Sequence, residues 1–470
     1  MRSLLPFFLS RILLALLLAP LVHAETPSAF GGLFRDGDRW VAVGDSITHN
    51  GTYHAWVQAY YATRFPELRL DTSNAGISGD IAAGALRRYD WDIAPMSGTV
   101  ATIMLGMNDV GRTLYAAGDV TPDLERRRAD ALVRHREAMV GLVRRLRADG
   151  IRVILLTPSP FDQTANLKTA NLPGVNDALA VCADFARELV ATDPAALSLI
   201  DLHGPLTALN TRLQQDDPAF TLIGPDRVHP TAPGHLLMAY HILKAQSAPA
   251  DVARVTLAAD TLQITETHNA AVTALARPAA DRLTFTVHAR ALPFPIDPAA
   301  RPALDWVPFL DDLNREILRI TGLAPGDWTL AVDGQSLRAY TADELAVGVN
   351  LAAEANTPQN RQATLVLNLI KRRCAIEASG PRTLAQIEHG PLNALPRPIS
   401  FEAAQPVVER KLAELRASDN RRAAYFISIH ERYLEMKPKE AETRAELARL
   451  AEEIRAAARP VARTYTLARR

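Results

Sequence analysis

Cysteine is nearly absent from this chain of 470 residues: Cys182 and Cys374 are the whole complement. Two thiols form at most one bridge, which excludes a disulfide framework as the source of stability. They lie far apart in sequence, and neither carries a partner pattern for metal or catalysis. One bridge and two buried free thiols are both compatible with that spacing. Net charge is absent as well, since Lys+Arg and Asp+Glu each number 52 and the formal net charge is +0. Nothing in that balance draws the chain toward nucleic acid or an anionic membrane surface. Internal repeats and long low-complexity linkers are also missing, which favours regions packed on one another over tethered modules.

The opening two dozen residues stand apart. An apolar run from Ile12 to Val22 follows Arg2 and Arg11, and Val22-His23-Ala24 puts small residues where a signal peptidase reads. The run is too short to span a bilayer comfortably, so an export signal over residues 1–24 fits better than an uncleaved membrane tether. No Cys follows the site to carry a lipid. The expectation is a periplasmic or secreted protein with no stable membrane span after cleavage.

What is present is an ordinary globular composition, with 48% hydrophobic and 22% charged residues. The length exceeds one typical core, so two regions are expected. From about Arg39 to Lys244, short apolar strands alternate with amphipathic helices. Trp40–Val43, Val100–Leu105, Arg152–Leu156 and Leu197–Ile200 read as buried strands, and Leu68–Leu70 leads toward another. Asp123 to Asp149 reads as a long helix, with Leu132, Met139, Leu142, Val143 and Leu146 at helical spacing. Such alternation predicts a mostly parallel sheet covered on both faces, with the active site at the carboxyl ends of its strands.

Past the helix after His229 the pattern changes. Residues 252–292 alternate with period two (Val255/Leu257, Leu262/Ile264, Leu283/Phe285/Val287), which predicts antiparallel strands. A helix is expected near Trp306–Ile320, a strand around Trp328–Val332, and a helix near Ala342–Ala355. Ser400 to Arg459 reads as charged helix carrying an apolar stripe, divided near Pro438. The expected division is a catalytic region over 38–246, a mixed accessory region over 250–399, and a helical segment over 400–470.

Four motifs carry the chemistry: Gly44-Asp45-Ser46-Ile47-Thr48, Asn74-Ala75-Gly76-Ile77-Ser78-Gly79-Asp80, Gly106-Met107-Asn108-Asp109, and Asp226-Arg227-Val228-His229-Pro230. Ser46 closes a strand, where its hydroxyl can project above the sheet edge, but a serine needs an adjacent base to become a nucleophile. Taken alone, a serine in such a turn is usually a helix cap. Asp226 and His229, three apart in a short loop, change the reading. The carboxylate can hold the imidazole Nδ1–H and leave Nε2 to accept a proton. Acyl transfer also needs donors for a developing oxyanion, and the Ser46 N–H, the Gly79 N–H and the Asn108 amide are candidates.

These four segments resemble the conserved blocks of the SGNH (GDSL-type) hydrolase family of esterases, lipases and carbohydrate deacetylases. The resemblance covers about residues 38–245; Ile47-Thr48 stands where Leu-Ser or Leu-Thr is frequent. It implies Ser46 as nucleophile, Gly79 and Asn108 in the oxyanion hole, and Asp226 and His229 as the remaining triad. It also implies a three-layer α/β/α domain with no metal and no cofactor, while residues 250–470 receive no family from it. The polar residues His49, Asn50, Thr52, Tyr53 and His54, with Gln214 to Asp217, suggest a rim for hydroxylated ligands. Short acyl groups on sugars, such as O-acetyl groups of polysaccharides, are therefore the expected substrates. Longer acyl esters cleaved by a lysophospholipase or thioesterase are the alternative, and a non-catalytic carbohydrate-binding protein on this scaffold is a second one.

Overall fold

The structure, a computed structural model, describes residues 34–116, 118–419 and 422–470. The expected export signal lies outside the described residues. The first region runs β1 (Arg39–Gly44), α1 (Ser46–His49), α2 (Thr52–Arg64), β2 (Asp71–Gly76), α3 (Ala82–Arg87), β3 (Val100–Met104) and α4 (Pro122–Ala148). It continues with β4 (Arg152–Leu156), α5 (Val175–Thr192), β5 (Leu197–Ile200), α6 (His203–Leu213) and α7 (Ala232–Ala245). The five strands form one parallel sheet in the order β2-β1-β3-β4-β5.

Successive side chains of a strand point to opposite faces, and the buried residues sort accordingly. Trp40, Ala42, Ile154, Leu156 and Ile200 face one core with α2 and α7. Val41, Val43, Ala101, Ile103, Val153 and Leu155 face a second core with α3, α4 and α5. Burial on both faces is why these strands read as continuous apolar runs, and it yields the expected three-layer α/β/α sandwich. The second strand departs from expectation. It is Asp71–Gly76 and not the apolar Leu68–Leu70, because an edge strand buries only its last three residues, Asn74 to Gly76.

The remaining chain contributes two sheets and a set of helices. In order they are β6 (Asp251–Ala258), β7 (Gln263–His268), β8 (Ala270–Ala279), β9 (Arg282–Ala289), α8 (Phe309–Leu313), β10 (Arg315–Thr321), β11 (Asp327–Val332) and β12 (Gln335–Thr341). Then come α9 (Ala342–Val347), β13 (Val349–Asn350), α10 (Pro358–Glu377), α11 (Thr383–His389), α12 (Phe401–Arg416), α13 (Ala423–Met436), α14 (Glu440–Ala458) and β14 (Arg463–Arg469). Sheets β13-β10-β6-β7 and β12-β11-β14-β9-β8 enclose a core of Val255, Leu257, Phe285, Ile320, Trp328 and Tyr465.

Several expectations are corrected here. The helix expected at Trp306–Ile320 is only the short α8, and β10 takes its second half. Inward Glu316, Leu318 and Ile320 alternate along β10, and the buried glutamate disguised the period. Ile264 is exposed because β7 is an edge strand exposed along its whole length, and Leu262 is exposed in the turn that precedes it. The Ala342–Ala355 helix stops at Val347, where Gly348 adopts φ +112. A final strand, β14, follows the long helices and inserts between β11 and β9.

The two regions share a core. Phe294, Phe309, Val366 and Ile370 pack into the same cluster as Trp56, Tyr60 and Leu243. Arg64, buried at the end of α2, donates to the carbonyls of Pro249 at 3.1 Å, Ala250 at 3.0 Å and Leu313 at 3.0 Å. Cys182 and Cys374 are free and buried. Among the described residues no helix is long and apolar enough to cross a membrane.

Candidate active site

The register of the parallel sheet aligns three motifs. Gly44 lies opposite Gly76 on one side and Met104 on the other, so the loops that follow leave one sheet edge together. Ser46 comes two residues past its strand, Gly79 three and Asn108 four. The turn into α1 is tight: a Cβ on Gly44 would meet Thr48 Oγ1 at 2.2 Å, and one on Gly76 would meet the His49 nitrogen at 2.3 Å. Both approaches need glycine. Asp45 caps α1 by accepting the Ile47 N–H at 3.0 Å, leaving Ser46 half-buried as the first helical residue. Burial pushes the Asp45 carboxyl up to about 7.

His229 arrives from the other end of the domain. Its Nε2 lies 2.8 Å from Ser46 Oγ, and its Nδ1 lies 2.5 Å from Asp226 Oδ2. The second carboxylate oxygen accepts the N–H groups of Val228 at 3.0 Å and His229 at 2.9 Å. Partial burial works against the Asp226 charge, but the His229 imidazole and these two N–H groups hold its carboxyl well below the usual range. An ionised Asp226 accepts the hydrogen bond of Nδ1–H, which leaves the Nε2 lone pair directed at the serine.

Arg227, between the two, is a residue that motif reasoning passed over. It adopts φ +66, and its buried guanidinium donates to the carbonyls of Asp162 at 2.9 Å, Ala165 at 3.0 Å and Thr169 at 3.1 Å. Those bonds pin the histidine loop to the loop after β4. On the far side, Thr231 caps α7 by accepting the Gly234 N–H at 3.2 Å, with Pro233 in the first turn. The His229 imidazole therefore hangs between two fixed points.

The two expected oxyanion donors lie in neighbouring loops. Gly79 has φ +83 with open space where a Cβ would sit, and it is exposed. Asn108 Nδ2 donates to the Asp80 carbonyl at 3.0 Å, and Asn108 Oδ1 accepts from Arg112 Nη2 at 3.1 Å. Both ends of the amide are thereby assigned, and its second N–H is left for a ligand. Next to it, Asp109 accepts the Ala82 N–H at 2.8 Å and lies 3.0 Å from His135 Nδ1. Burial opposes charge on His135, but Asp109 and Cys182 beside it push the imidazole up to about 10.

The expected polar rim is corrected in part, since Asn50 and Gln215 to Asp217 are exposed while three of the others are not. His49, Tyr53 and His54 are buried and serve as internal braces. His54 Nε2 bonds the Thr48 carbonyl at 3.1 Å, and Tyr53 bonds Thr48 Oγ1 at 3.1 Å. Helix α2 turns Tyr53 and His54 under the loop, which periodicity hid because each carries a polar group. Gln214 is likewise engaged, donating to Asp162 Oδ2 at 3.1 Å. Among the described residues no group of three or more His, Cys, Asp or Glu side chains could hold a metal ion.

Comparisons with known proteins agree with this architecture. Residues 42–237 match the GDSL-like Lipase/Acylhydrolase family. Among solved structures, BT4096, described as a gut microbial diltiazem-metabolizing enzyme, is 30% identical with a TM-score of 0.84; the match covers 93% of this chain and 99% of that one. The chain also matches LAE5, an alpha/beta hydrolase enzyme from the metagenome of Lake Arreo, Spain. That match has 27% identity and a TM-score of 0.35, covering 46% of this chain and 97% of that one. Axe2, an acetylxylan esterase from Geobacillus stearothermophilus, matches with 24% identity and a TM-score of 0.35, covering 45% and 94%. No curated protein matches. With similarity to one solved relative running through both regions and the four motifs at one sheet edge, the chain belongs to the GDSL-like lipase/acylhydrolase family.

Proposed function

We propose that the protein hydrolyses carboxylic esters through an acyl-enzyme intermediate on Ser46. The observation that carries this reading is the hydrogen-bonded series Ser46 Oγ, His229 and Asp226, with contacts of 2.8 and 2.5 Å. Family membership supports the same class of reaction. His229 Nε2 takes the Ser46 proton as the hydroxyl oxygen attacks the ester carbonyl. The tetrahedral oxyanion is held by the N–H groups of Ser46 and Gly79 and by the free N–H of Asn108. Each such donor is typically worth about 2.7–4 kcal/mol of barrier. His229 then protonates the departing alcohol, and a water molecule attacking the acyl group repeats the sequence to release the acid.

On the substrate, we propose short acyl groups carried on bulky alcohols, with O-acetylated carbohydrate the first candidate. Exposure supports this: the His229 side chain is 41% accessible and that of Asp226 52%, and Gly79 is exposed. An open site admits a large alcohol, whereas a long acyl chain gains most from an apolar tunnel that excludes water. A second reading, a small drug-like ester, is favoured by the similarity to the diltiazem-metabolizing enzyme over 93% of this chain.

The test is an acyl-chain series of p-nitrophenyl esters beside acetylated xylan and diltiazem, with Ser46→Ala as control. The acetyl ester should be the best of the series and Ser46→Ala should be inactive. Octanoyl or longer esters turning over far faster than acetyl would refute the short-acyl reading.

A further inference from the structure

The loop that presents Gly79 is bonded to a segment some 300 residues downstream. Ser78 N–H donates to His49 Nδ1 at 3.1 Å, and His49 Nε2 bonds the Ala378 carbonyl at 3.0 Å. The Ser78 carbonyl accepts from Gln386 Nε2 at 3.2 Å. Thus both backbone groups of the residue before Gly79 are tied, directly or through one imidazole, to the turn Ala378–Arg382 and to α11.

The residue after Gly79 is tied by charge. Asp80 accepts from Arg88 Nε at 2.8 Å and lies 3.6 Å from His389 Nε2. Arg88, wholly buried, also bonds Asp92 at 2.5 Å and the Ala75 carbonyl at 2.7 Å. Asp92 in turn accepts two bonds from Arg382, at 3.0 and 2.8 Å. The chain of charges Arg382–Asp92–Arg88–Asp80 ends on the residue whose carbonyl orients Asn108 at 3.0 Å. A buried network of paired charges favours one arrangement, because breaking any of its ion pairs strands a charge.

We propose that the segment Ala378–His389 is a working part of the oxyanion hole, with Arg382, Gln386 and His389 as positioning residues. They hold the Ile77–Asp80 loop so that the Gly79 N–H and the Asn108 amide converge on the reacting oxygen. This rests on the reading of Gly79 and Asn108 as oxyanion donors. Gly79 itself is left-handed and exposed and has no side chain to anchor it, so the orientation of its N–H is set by the tethered residues on either side, Ser78 and Asp80. The C-terminal region then acts on the chemical step and not on ground-state binding of the ester, since the donors are needed most where charge develops.

The experiment uses the full chain with p-nitrophenyl acetate, and kcat is normalised to active sites titrated with a fluorophosphonate. The variants are Gln386→Leu with His389→Leu together, Arg382→Met and Arg382→Lys. The Gln386/His389 double variant should lose about ten- to a hundredfold in kcat with KM within about twofold. The midpoint of its pH–rate profile should stay in place, because His229 and Asp226 are untouched. Arg382→Lys should recover part of the activity lost in Arg382→Met. If Arg382→Met does not fold, the Gln386/His389 variant decides. Unchanged kcat in that folded variant, or a rise in KM at constant kcat, would overturn the proposal. Ser46→Ala separates the two levels: full activity there removes the catalytic reading itself, whereas an inactive Ser46→Ala beside an unimpaired Gln386/His389 variant removes only this inference.

Discussion

Replacing Asp226 by Asn should cost more activity than replacing it by Ala, although Asn is the closer mimic. The wild-type carboxylate divides its oxygens: one meets His229 Nδ1 at 2.5 Å, and the other accepts two backbone N–H groups at 3.0 and 2.9 Å. An asparagine would place its carbonyl against those two N–H groups and its amide nitrogen against Nδ1. The imidazole would then carry its proton on Nε2, where it cannot accept one from Ser46. Deletion to Ala removes a charge-assisted hydrogen bond, about 1.5–3 kcal/mol. At about 1.36 kcal/mol per tenfold, that is roughly a 10- to 150-fold loss. Because the Asp226 side chain is 52% exposed, water replaces part of the interaction and the lower end is expected. A wrong tautomer carries the Asn variant toward a loss of about 10⁴. The assay is kcat/KM on p-nitrophenyl acetate, with circular dichroism confirming the fold. Asp226→Asn equal to or better than Asp226→Ala would refute the argument. So would Asp226→Ala as inactive as Ser46→Ala with its fold intact.

Other outcomes follow from the packing. Gly76→Ala should destabilise by about 1–3 kcal/mol, since its Cβ would sit 2.3 Å from the His49 nitrogen; an unchanged thermal midpoint would contradict that contact. A chain ending at residue 249 should be insoluble. It loses Phe294, Phe309, Val366 and Ile370 from the shared core at roughly 1.5–3 kcal/mol each, against a net stability of about 5–15 kcal/mol. A soluble, active fragment would refute this. Burial raises the Glu316 carboxyl to about 7, so the folded protein binds its proton more tightly than the unfolded chain does. The penalty for ionising it is absent below the unfolded value of 4.5 and fully developed above about 7. Glu316→Gln should therefore gain stability relative to wild type as pH rises through that window in denaturant titrations, and a flat difference would contradict the burial argument.

How much of this was legible in the sequence depended on what the chemistry restricts. Ser46, Asn108, Asp226 and His229 stand out because few residue types can serve as nucleophile, neutral donor, carboxylate and base. The buried strands of the parallel sheet are legible for a similar reason, since burial on both faces leaves only apolar choices. Residues that act through others were not legible. Arg227 looks like a surface arginine in a loop, and only its φ of +66 and its four carbonyl partners give it a role. His49 reads as a rim residue until its two partners, Ser78 and Ala378, are seen to lie on opposite sides of it. The same holds for Glu316, whose charge masked the alternation of β10, and for β14, whose partners β9 and β11 precede it by well over a hundred residues. Long-range pairing leaves no local signal of which strands will be neighbours.

The most direct measurement of the central claim is covalent labelling with a fluorophosphonate, followed by intact-protein and peptide mass spectrometry. One adduct is expected, on the peptide containing Ser46, absent in Ser46→Ala and formed far more slowly in His229→Ala. Labelling that persists undiminished in Ser46→Ala, or that proceeds at the wild-type rate without His229, would contradict the account.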